Sequence, residues 1–225
     1  MDMVERKIYG IFVAGGSGTR MGGSVPKQFL EIDSKPVLQH TIEKFLRAIP
    51  GISVITVLPA QHFPTWKRLC DEHALDCPQI LVEGGITRFH SVKNALAKVP
   101  DGAFVLIHDG VRPLLSEDMI RRMLAEMDNG ARALVPALPV TDTLKSRDQS
   151  LPDPDRSALL AVQTPQIFLS EDIKRAYSKA YDTSFTDDAS VAKACGIPVT
   201  FFEGEKYNIK LTTPEDLEIA KLLLR

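Results

Sequence analysis

Features that would place this chain in a membrane or outside the cell are scarce in its sequence. No apolar run approaches the roughly 20 residues of a membrane span, and residues 1–7 lack the apolar stretch of a signal peptide. The three cysteines, Cys70, Cys77 and Cys195, show no Cys-x-x-Cys spacing, which argues against a disulfide framework or a zinc site. We therefore expect a cytoplasmic protein with no membrane partner.

An excess of charge of one sign is also lacking. The chain has 27 Lys and Arg residues against 29 Asp and Glu residues, a net charge of -2. This balance argues against a general binder of nucleic acid or of a membrane surface. Any anionic substrate must be attracted by a local cluster of cations.

The composition that is present favours one globular domain. At 225 residues, 44% of them hydrophobic, the chain can bury a sizeable core. Apolar, β-branched runs alternate with helical patterns, which indicates βα units around a mostly parallel sheet. No repeat, low-complexity tract or linker is visible, so we expect a single domain over residues 1–225. The predicted strands are 8–13, 52–58, 79–82, 103–107, 132–136 and 198–203.

Three helix starts are visible. Pro36 is suited to the first position of a helix that carries apolar residues on one side. Ser116 can cap a second helix, with two acidic residues after it at the positive end of the helix dipole. Thr213 and Pro214 mark the start of the last helix in the same way.

Residues 137–163 break the alternation of strands and helices. Two strand-like pieces flank a polar stretch that contains Pro152 and Pro154, which predicts a long hairpin projecting from the sheet. An isolated two-stranded arm is only marginally stable in water. We therefore expect this arm, about 137–163, to pack on a second subunit of a homodimer.

A glycine-rich loop with two cations follows the first predicted strand. Residues 14–27 read Ala-Gly-Gly-Ser-Gly-Thr-Arg-Met-Gly-Gly-Ser-Val-Pro-Lys. Glycines let the backbone approach a polyphosphate and point several N–H groups at it. Arg20 and Lys27 can neutralise charge that develops during phosphoryl or nucleotidyl transfer. The loop therefore predicts a bound nucleoside triphosphate.

Other interpretations of this loop fit the residues less well. A dinucleotide fingerprint would need a third glycine where Met21 stands, and Pro26 would interrupt its helix. A Walker A loop would need a lysine where Ser24 stands. A flexible surface turn is the remaining alternative for a glycine cluster taken alone.

Polar clusters follow the later predicted strands as well. In open α/β sheets, ligands bind outside the carboxyl ends of the strands, so these clusters mark one candidate site. They are Glu83-Gly84-Gly85-Ile86-Thr87-Arg88-Phe89-His90-Ser91, His108-Asp109-Gly110-Val111-Arg112-Pro113, Gln163-Thr164-Pro165-Gln166, Thr186-Asp187-Asp188-Ala189-Ser190 and Tyr207-Asn208-Ile209-Lys210-Leu211-Thr212.

Asp109 is the candidate metal ligand, because Mg²⁺ prefers few protein oxygens together with substrate phosphates and water. The alternative is a structural pair with Arg112. His108 fits a hydrogen bond at the sheet end better than a catalytic base. The acidic pair Asp187 and Asp188 fits a helix amino terminus better than a two-metal site.

Gly84 and Gly85 let the backbone pass close to a flat ring, and Ser91 can hydrogen-bond a base edge. Arg88 fits either a phosphate contact or a brace of the loop. Arg156, in an acidic stretch rich in proline, is on its own a solvated surface residue.

Taken together and in this order, the clusters resemble one family, the 2-C-methyl-D-erythritol 4-phosphate cytidylyltransferases of the sugar-phosphate nucleotidyltransferase superfamily. The resemblance runs from Ile8 to about Leu223. Its most specific stretches are the glycine loop with Pro26-Lys27-Gln28-Phe29, and His108-Asp109 with Arg112-Pro113. Pro139-Val140-Thr141-Asp142-Thr143-Leu144-Lys145, Gln163-Thr164-Pro165-Gln166, Thr186-Asp187-Asp188-Ala189-Ser190 and Asn208-Ile209-Lys210 complete it.

The resemblance implies transfer of CMP from CTP to an alditol phosphate, with Mg²⁺ or another divalent cation. With the βα alternation, we expect an α/β fold, a Rossmann-like three-layer αβα sandwich with a mostly parallel sheet and a projecting β-hairpin arm. The implied catalytic residues are Arg20, Lys27 and Lys210, and the implied metal ligand is Asp109. The implied CTP contacts are Ala14, Gly15, Gly16, Gly18, Thr19, Gly84, Gly85, Arg88, Ser91, Asp109 and Gly110. The implied sugar-phosphate contacts are Arg112, Thr143, Arg156, Thr186 and Lys210, of which Thr143 and Arg156 would serve the neighbouring subunit's site.

The sequence departs from the family pattern in places. Gly110 and Val111 stand where many members have two alanines, and Leu160 stands where a tryptophan is common. The tripeptide Val-Arg-Pro at 111–113 also resembles the corresponding sequence of ribitol-5-phosphate cytidylyltransferases. A pentitol phosphate is therefore the alternative acceptor, and a nucleotide-binding domain without enzymatic activity is the alternative of another class.

Overall fold

The computed structural model describes residues 6–16 and 25–224. The strands are β1 (Ile8–Val13), β2 (Glu31–Ile32), β3 (Lys35–Pro36), β4 (Ser53–Leu58), β5 (Gln79–Glu83), β6 (Phe104–Asp109), β7 (Ala133–Pro139), β8 (Leu160–Val162), β9 (Gln166–Leu169) and β10 (Thr200–Glu203). The helices are α1 (Val37–Ala48), α2 (Phe63–Glu72), α3 (Arg88–Leu96), α4 (Glu117–Asp128), α5 (Ser170–Tyr177), α6 (Asp188–Ala194) and α7 (Pro214–Leu223).

One eight-stranded sheet organises the fold, in the order β10-β7-β9-β6-β1-β4-β5, with β8 paired to β7. Its β1, β4, β5 and β6 pair in parallel, and so do β7 and β10. Strand β9 lies between β6 and β7 and runs antiparallel to both. The six parallel strands therefore end at one edge, where ligands of open α/β sheets bind.

Two apolar layers cover the two faces of the sheet. Alternate residues of a strand point to opposite faces, so Phe104 and Leu106 of β6 pack with α1, α2 and α4, whereas Val105 and Ile107 pack with α3, α5 and α6. This confirms the predicted three-layer α/β fold with a mostly parallel sheet. No helix within residues 6–16 and 25–224 is long and apolar enough to cross a bilayer.

The helix starts lie close to where the sequence placed them. Pro36 precedes α1 as its N-cap rather than opening it. The Ser116 side chain accepts from the Met119 N–H at the start of α4. Thr213 and Asp216 cap α7 reciprocally, with Pro214 in the first turn.

Two details of the sheet differ from the sequence-based prediction. Strand β9 was not expected, because its four residues are too short a run to distinguish from the polar motif before them. The hairpin of β7 and β8 has only three paired positions, from Ala137 with Val162 to Pro139 with Leu160. Residues 140–159 form no strand, and most of them are exposed.

Candidate active site

A cleft of about 460 Å³ opens at the carboxyl edge of the sheet. Its walls come from the ends of β1, β4, β5 and β6 and from the segments that follow them, as the strand directions require. The described lining consists of Val13, Ala14, Gly15, Gly16, Lys27, Gln28, Pro59, Ala60, Gln61, Glu83, Gly84, Gly85, Ile86, Thr87, Arg88, Ser91, Asp109, Val111 and Lys210.

Two lysines far apart in sequence line this cleft. Lys27 opens a short 3₁₀ turn after Pro26, and its Nζ donates to the carbonyl oxygen of Leu211 at 3.0 Å. Lys210 lies one residue before Leu211, and its Nζ is 3.1 Å from Oδ2 of Asp109. The cleft therefore gathers two ammonium groups from opposite ends of the chain.

Asp109 lies at the end of β6, and the residue is only 6% exposed. Three cations approach its carboxylate: Lys210, the Nε of Arg112 at 3.2 Å and the Nε of Arg88 at 3.7 Å. Burial alone would raise the pKa of Asp109, but the attraction of these cations outweighs it and holds the pKa below its usual range. Asp109 is therefore an ionised carboxylate at the cleft wall.

Arg88 is committed to a second carboxylate. Its two terminal nitrogens donate to the two oxygens of Asp188 at 2.8 and 2.7 Å, and Asp188 is fully buried. The Tyr177 hydroxyl donates to the same carboxylate at 2.5 Å. Burial would lower the pKa of Arg88, but Asp188 and Asp109 hold it above its usual range. This geometry shows the brace that the sequence offered, and Arg88 also lines the cleft, so the contact with CTP stays a prediction.

The acidic pair at 187–188 does not face the cleft as a metal site. Asp187 caps α6 through a reciprocal capping box with Ser190. Gln166 fixes this helix start, since its amide donates to Asp187 at 2.8 Å and accepts from the Ala189 N–H at 2.8 Å. Across residues 6–16 and 25–224, no three His, Cys, Asp or Glu side chains group as a metal site.

Close packing explains the glycines after β5. A Cβ on Gly85 would lie 2.3 Å from the Cβ of His90, too close for any side chain there. The Gly85 N–H donates to the Ser91 hydroxyl at 3.0 Å, and that hydroxyl donates to the Thr87 carbonyl at 3.0 Å. Ser91 therefore fixes the shape of the cleft wall with the hydroxyl that was expected to contact a base.

His108 is buried behind Asp109 and makes two hydrogen bonds. Because the Arg112 carbonyl only accepts, Nε2 of His108 must carry the proton of their 3.2 Å contact. Nδ1 then accepts from the Thr164 hydroxyl at 3.0 Å, and that hydroxyl oxygen accepts from the Asp109 N–H at 3.1 Å. Burial lowers the pKa of His108 to about 3, although Asp109 raises it in part. The ring is neutral and belongs to the scaffold.

The free energy of unfolding should therefore decrease as the pH is lowered below the pKa of an ordinary histidine. Unfolded His108 takes up a proton near pH 6.5, whereas the folded ring stays neutral down to about pH 3. Acidification within this window favours the unfolded state. In urea denaturation, His108→Gln should make the pH slope of the unfolding free energy shallower by up to about 1.4 kcal/mol per pH unit. Equal slopes in both proteins would contradict the buried neutral ring.

Several predicted site residues lie away from the described cleft lining. Gly110 is buried, and a Cβ there would lie 2.7 Å from Leu38, so its glycine is explained by packing. Arg112 contacts Asp109 and donates to the Asn208 carbonyl at 2.7 Å. Thr143, Arg156 and Thr186 are not part of that lining, and Thr143 and Arg156 are exposed. Gly18, Thr19 and Arg20 lie outside the described residues.

Sequence reasoning assigned no role to Gln163, Glu205 and Asn208. Gln163 and Asn208 are buried and hydrogen-bonded beside the cleft, and Glu205 bonds to Gln163 through its backbone. The sequence signal for Gln163 and Asn208 was their place in the polar clusters that follow the predicted strands. Their partners lie more than 40 positions away, so no local pattern reveals the contacts.

Comparison with known proteins gives a consistent result. A family model described as "IspD: 2-C-methyl-D-erythritol 4-phosphate cytidylyltransferase" matches residues 8–225. The 2-C-methyl-D-erythritol 4-phosphate cytidylyltransferase of Bacteroides thetaiotaomicron is 45% identical over 215 residues, covering 95% of this chain and 98% of the relative. The enzyme of that name from Porphyromonas gingivalis is 45% identical over 226 residues, covering 98% and 99%.

Solved structures agree with the sequence relatives. The crystal structure of the Thermus thermophilus enzyme of that name superimposes with a TM-score of 0.76 at 30% identity, covering 98% of each chain. The sheet, the cleft at its carboxyl edge and these matches along almost the whole length lead to one conclusion. The chain belongs to the 2-C-methyl-D-erythritol 4-phosphate cytidylyltransferase family.

Proposed function

We propose that this chain transfers CMP from CTP to 2-C-methyl-D-erythritol 4-phosphate, giving 4-diphosphocytidyl-2-C-methyl-D-erythritol and pyrophosphate in non-mevalonate isoprenoid biosynthesis. The observation that carries the proposal is the convergence of Lys27, Lys210 and ionised Asp109 in one cleft. A ribitol phosphate acceptor is not favoured, because the family model and the relatives described above are named for methylerythritol phosphate.

Repulsion between two anions is the main obstacle to this reaction. An oxygen of the acceptor phosphate attacks the α-phosphorus of CTP, and the bond from that phosphorus to the bridging β-phosphate oxygen breaks, releasing pyrophosphate. No general base is needed, because the second pKa of a phosphate monoester is about 6. Arg20 and Lys27 stabilise charge on the transferred group, while Lys210 holds the acceptor phosphate in line.

Asp109 is the residue that would hold Mg²⁺ or another divalent cation. Its donor set fits, because it is an ionised carboxylate at the cleft wall that leaves the remaining positions to phosphates and water. A bound divalent cation supplies Lewis-acid stabilisation of the triphosphate oxygens. Before it binds, Lys210 and Arg112 neutralise the carboxylate.

The remaining contacts divide between the two substrates. We assign CTP to the lining formed by residues 14–16, 84–85, 88 and 91, together with Gly18 and Thr19, while Gly110 supports that wall from behind. Acceptor binding is assigned to Lys210, Thr186 and, from a second subunit, Thr143 and Arg156. The exposure of these last two residues supports that assignment.

A homodimer built through the arm follows from this division. Leu160 and Val162 of β8 remain exposed. Within the described residues, the Arg156 side chain donates only to the Thr141 carbonyl of its own arm. Such an arm gains stability by packing on another chain. No membrane or nucleic-acid partner is proposed, and the expected location is the cytoplasm.

Subunit mixing tests the shared site. Equal amounts of Arg156→Ala and Lys27→Ala chains should recover about a quarter of wild-type activity, since half of the dimers are mixed and each holds one intact site. Lys27→Ala mixed with Lys210→Ala is the matched control and should recover nothing, because both side chains line one chain's cleft. No recovery in the first mixture, with exchange of subunits demonstrated, would mean that each subunit builds its site alone.

Pyrophosphate release tests the function itself. The purified chain is given each of the four ribonucleoside triphosphates with methylerythritol phosphate or ribitol 5-phosphate, and with Mg²⁺ or a chelator. We expect release only with CTP, methylerythritol phosphate and the metal. Release with CTP and ribitol 5-phosphate, but not with CTP and methylerythritol phosphate, would show that the acceptor is a pentitol phosphate. No release with any pair would favour a nucleotide-binding domain without enzymatic activity.

A further inference from the structure

The segment that carries Lys210 has no regular secondary structure. Residues 204–213 connect β10 to α7, so neither a ladder nor a helix fixes their backbone. Two backbone bonds attach the segment at its ends: the Gly204 N–H donates to the Ala137 carbonyl, and the Leu211 N–H donates to the Val111 carbonyl, both at 2.9 Å. The part between them needs other partners to present Lys210 reproducibly.

The Gln163 side chain attaches the segment at Glu205, and Arg112 attaches it nearer to Lys210 by donating to the Asn208 carbonyl at 2.7 Å. The Nε2 of Gln163 donates to the Glu205 carbonyl at 2.8 Å, and its Oε1 accepts from the Glu205 N–H at 3.1 Å. The amide thus pairs with both polar groups of one peptide residue, as a neighbouring strand would. Gln163 is only 8% exposed, so water competes little for these bonds.

Neighbouring residues of the segment pack closely against the Gln163 amide. The Asn208 amide donates to the Thr164 carbonyl at 2.8 Å and lies 3.4 Å from Oε1 of Gln163. A Cβ on Gly204 would lie 2.6 Å from the same Oε1, so the backbone passes too close for a side chain. The Glu205 carboxylate accepts from the Ser116 N–H at 2.8 Å and from its hydroxyl.

The same short stretch also holds the other side of the cleft. Thr164, next to Gln163, accepts from the Asp109 N–H at 3.1 Å, and Asp109 pairs with Lys210. Residues 163–164 therefore fix the backbone on both sides of the Lys210–Asp109 pair. We propose that Gln163 is a positioning residue, which sets the location of Lys210 relative to Asp109 through the Glu205 backbone. This rests on the role proposed above for Lys210.

A double-mutant cycle tests whether Gln163 acts through Lys210. Gln163→Leu should lower kcat/KM for the acceptor by on the order of 10²-fold, as expected when a reacting group is slightly misplaced, and should leave the Kd of CTP nearly unchanged. In a Lys210→Ala background the same change should lower kcat/KM by less than about twofold, because nothing remains to be positioned. If Gln163→Leu lowered kcat/KM by the same factor in the Lys210→Ala background as in the wild type, the proposal would be overturned.

Gln166→Leu is the matched control. Gln166 is also a buried glutamine whose amide fixes a loop through two bonds, but that loop starts α6 and does not carry Lys210. Its Nε2 also lies 3.5 Å from the Gln163 carbonyl, a backbone group that Gln163→Leu leaves in place. Gln166→Leu should lower kcat/KM by the same factor in the wild type and in the Lys210→Ala background. Gly204→Ala is a second, milder variant, since its Cβ displaces the Gln163 amide without burying a new large apolar side chain. It should repeat the pattern of Gln163→Leu, and wild-type kcat/KM in this variant would count against the proposal.

Hydrogen exchange separates this inference from the proposed function. In Gln163→Leu, amides of residues 205–211 should exchange at least about tenfold faster, whereas Gln166→Leu should accelerate exchange at 187–190 instead. If Lys210→Ala proved fully active, the role of Lys210 would fail while this exchange pattern could still hold. Unchanged exchange at 205–211 in Gln163→Leu would overturn the positioning role whatever the activity.

Discussion

Lys27→Ala should lower kcat by on the order of 10²–10³, the loss expected for one positioned electrostatic stabiliser. Lys27 lines the cleft beside the first strand end, and its ammonium group lies 3.0 Å from the Leu211 carbonyl. We expect this ammonium group to leave the Leu211 carbonyl for a phosphate of the bound nucleotide. Steady-state kinetics with both substrates varied would measure the change, and the KM values should change far less than kcat.

Two comparisons separate charge from packing. Lys27→Met keeps most of the aliphatic stem and should lose about as much activity as Lys27→Ala. Lys35→Ala removes a lysine that pairs with Glu43 at 3.0 Å outside the cleft lining, and it should keep wild-type activity. A normal turnover number for Lys27→Met would remove the charge of Lys27 from the mechanism.

Asp109→Asn should lower kcat/KM by about 10³-fold, because a metal-held charge stabilisation is worth several kcal/mol. The substitution keeps the shape of the side chain but removes its charge. Lys210, Arg112 and Arg88 then face a neutral amide. On the proposed role of Asp109, a divalent cation would also lose its anionic protein ligand. Titration of activity with Mg²⁺ should require at least about tenfold more metal for half-maximal rate.

The surface offers a matched control for this change. Asp101 pairs with Lys174 at 2.6 Å, and its side chain is 70% exposed. Asp101→Asn should leave both kcat/KM and the metal requirement at wild-type values, as expected for an exposed pair. An unchanged metal requirement in Asp109→Asn, with activity lost, would make Asp109 a structural counter-ion of Lys210 rather than a metal ligand.

The parallel strands were predictable from the sequence to within about three residues at each end. Strand β1 coincides with the predicted 8–13, and β6 extends the predicted 103–107 by its last two residues, His108 and Asp109. Strands buried on both faces appear as continuous apolar runs, which makes them easy to locate. Strand β9 escaped because Gln166–Leu169 is short, and because its place between β6 and β7 depends on contacts distant in sequence.

The candidate site also has a part that the sequence predicts and a part that it does not. Residues at the ends of parallel strands, such as Gly84 and Asp109, come together because the strand direction alone brings them to one edge. Thr143 and Arg156 lie on an arm whose partner is not set by any local pattern. The support of the site was also hidden, because Gln163 and Asn208 are buried amides whose partners are backbone groups far along the chain.

A crystal structure of the chain with CTP and Mg²⁺ tests the central claim most directly. We expect the Asp109 carboxylate to coordinate the metal at about 2.1 Å. The Lys27 ammonium should lie within about 3 Å of a phosphate oxygen. A triphosphate bound in contact with neither Lys27 nor Asp109 would contradict the account.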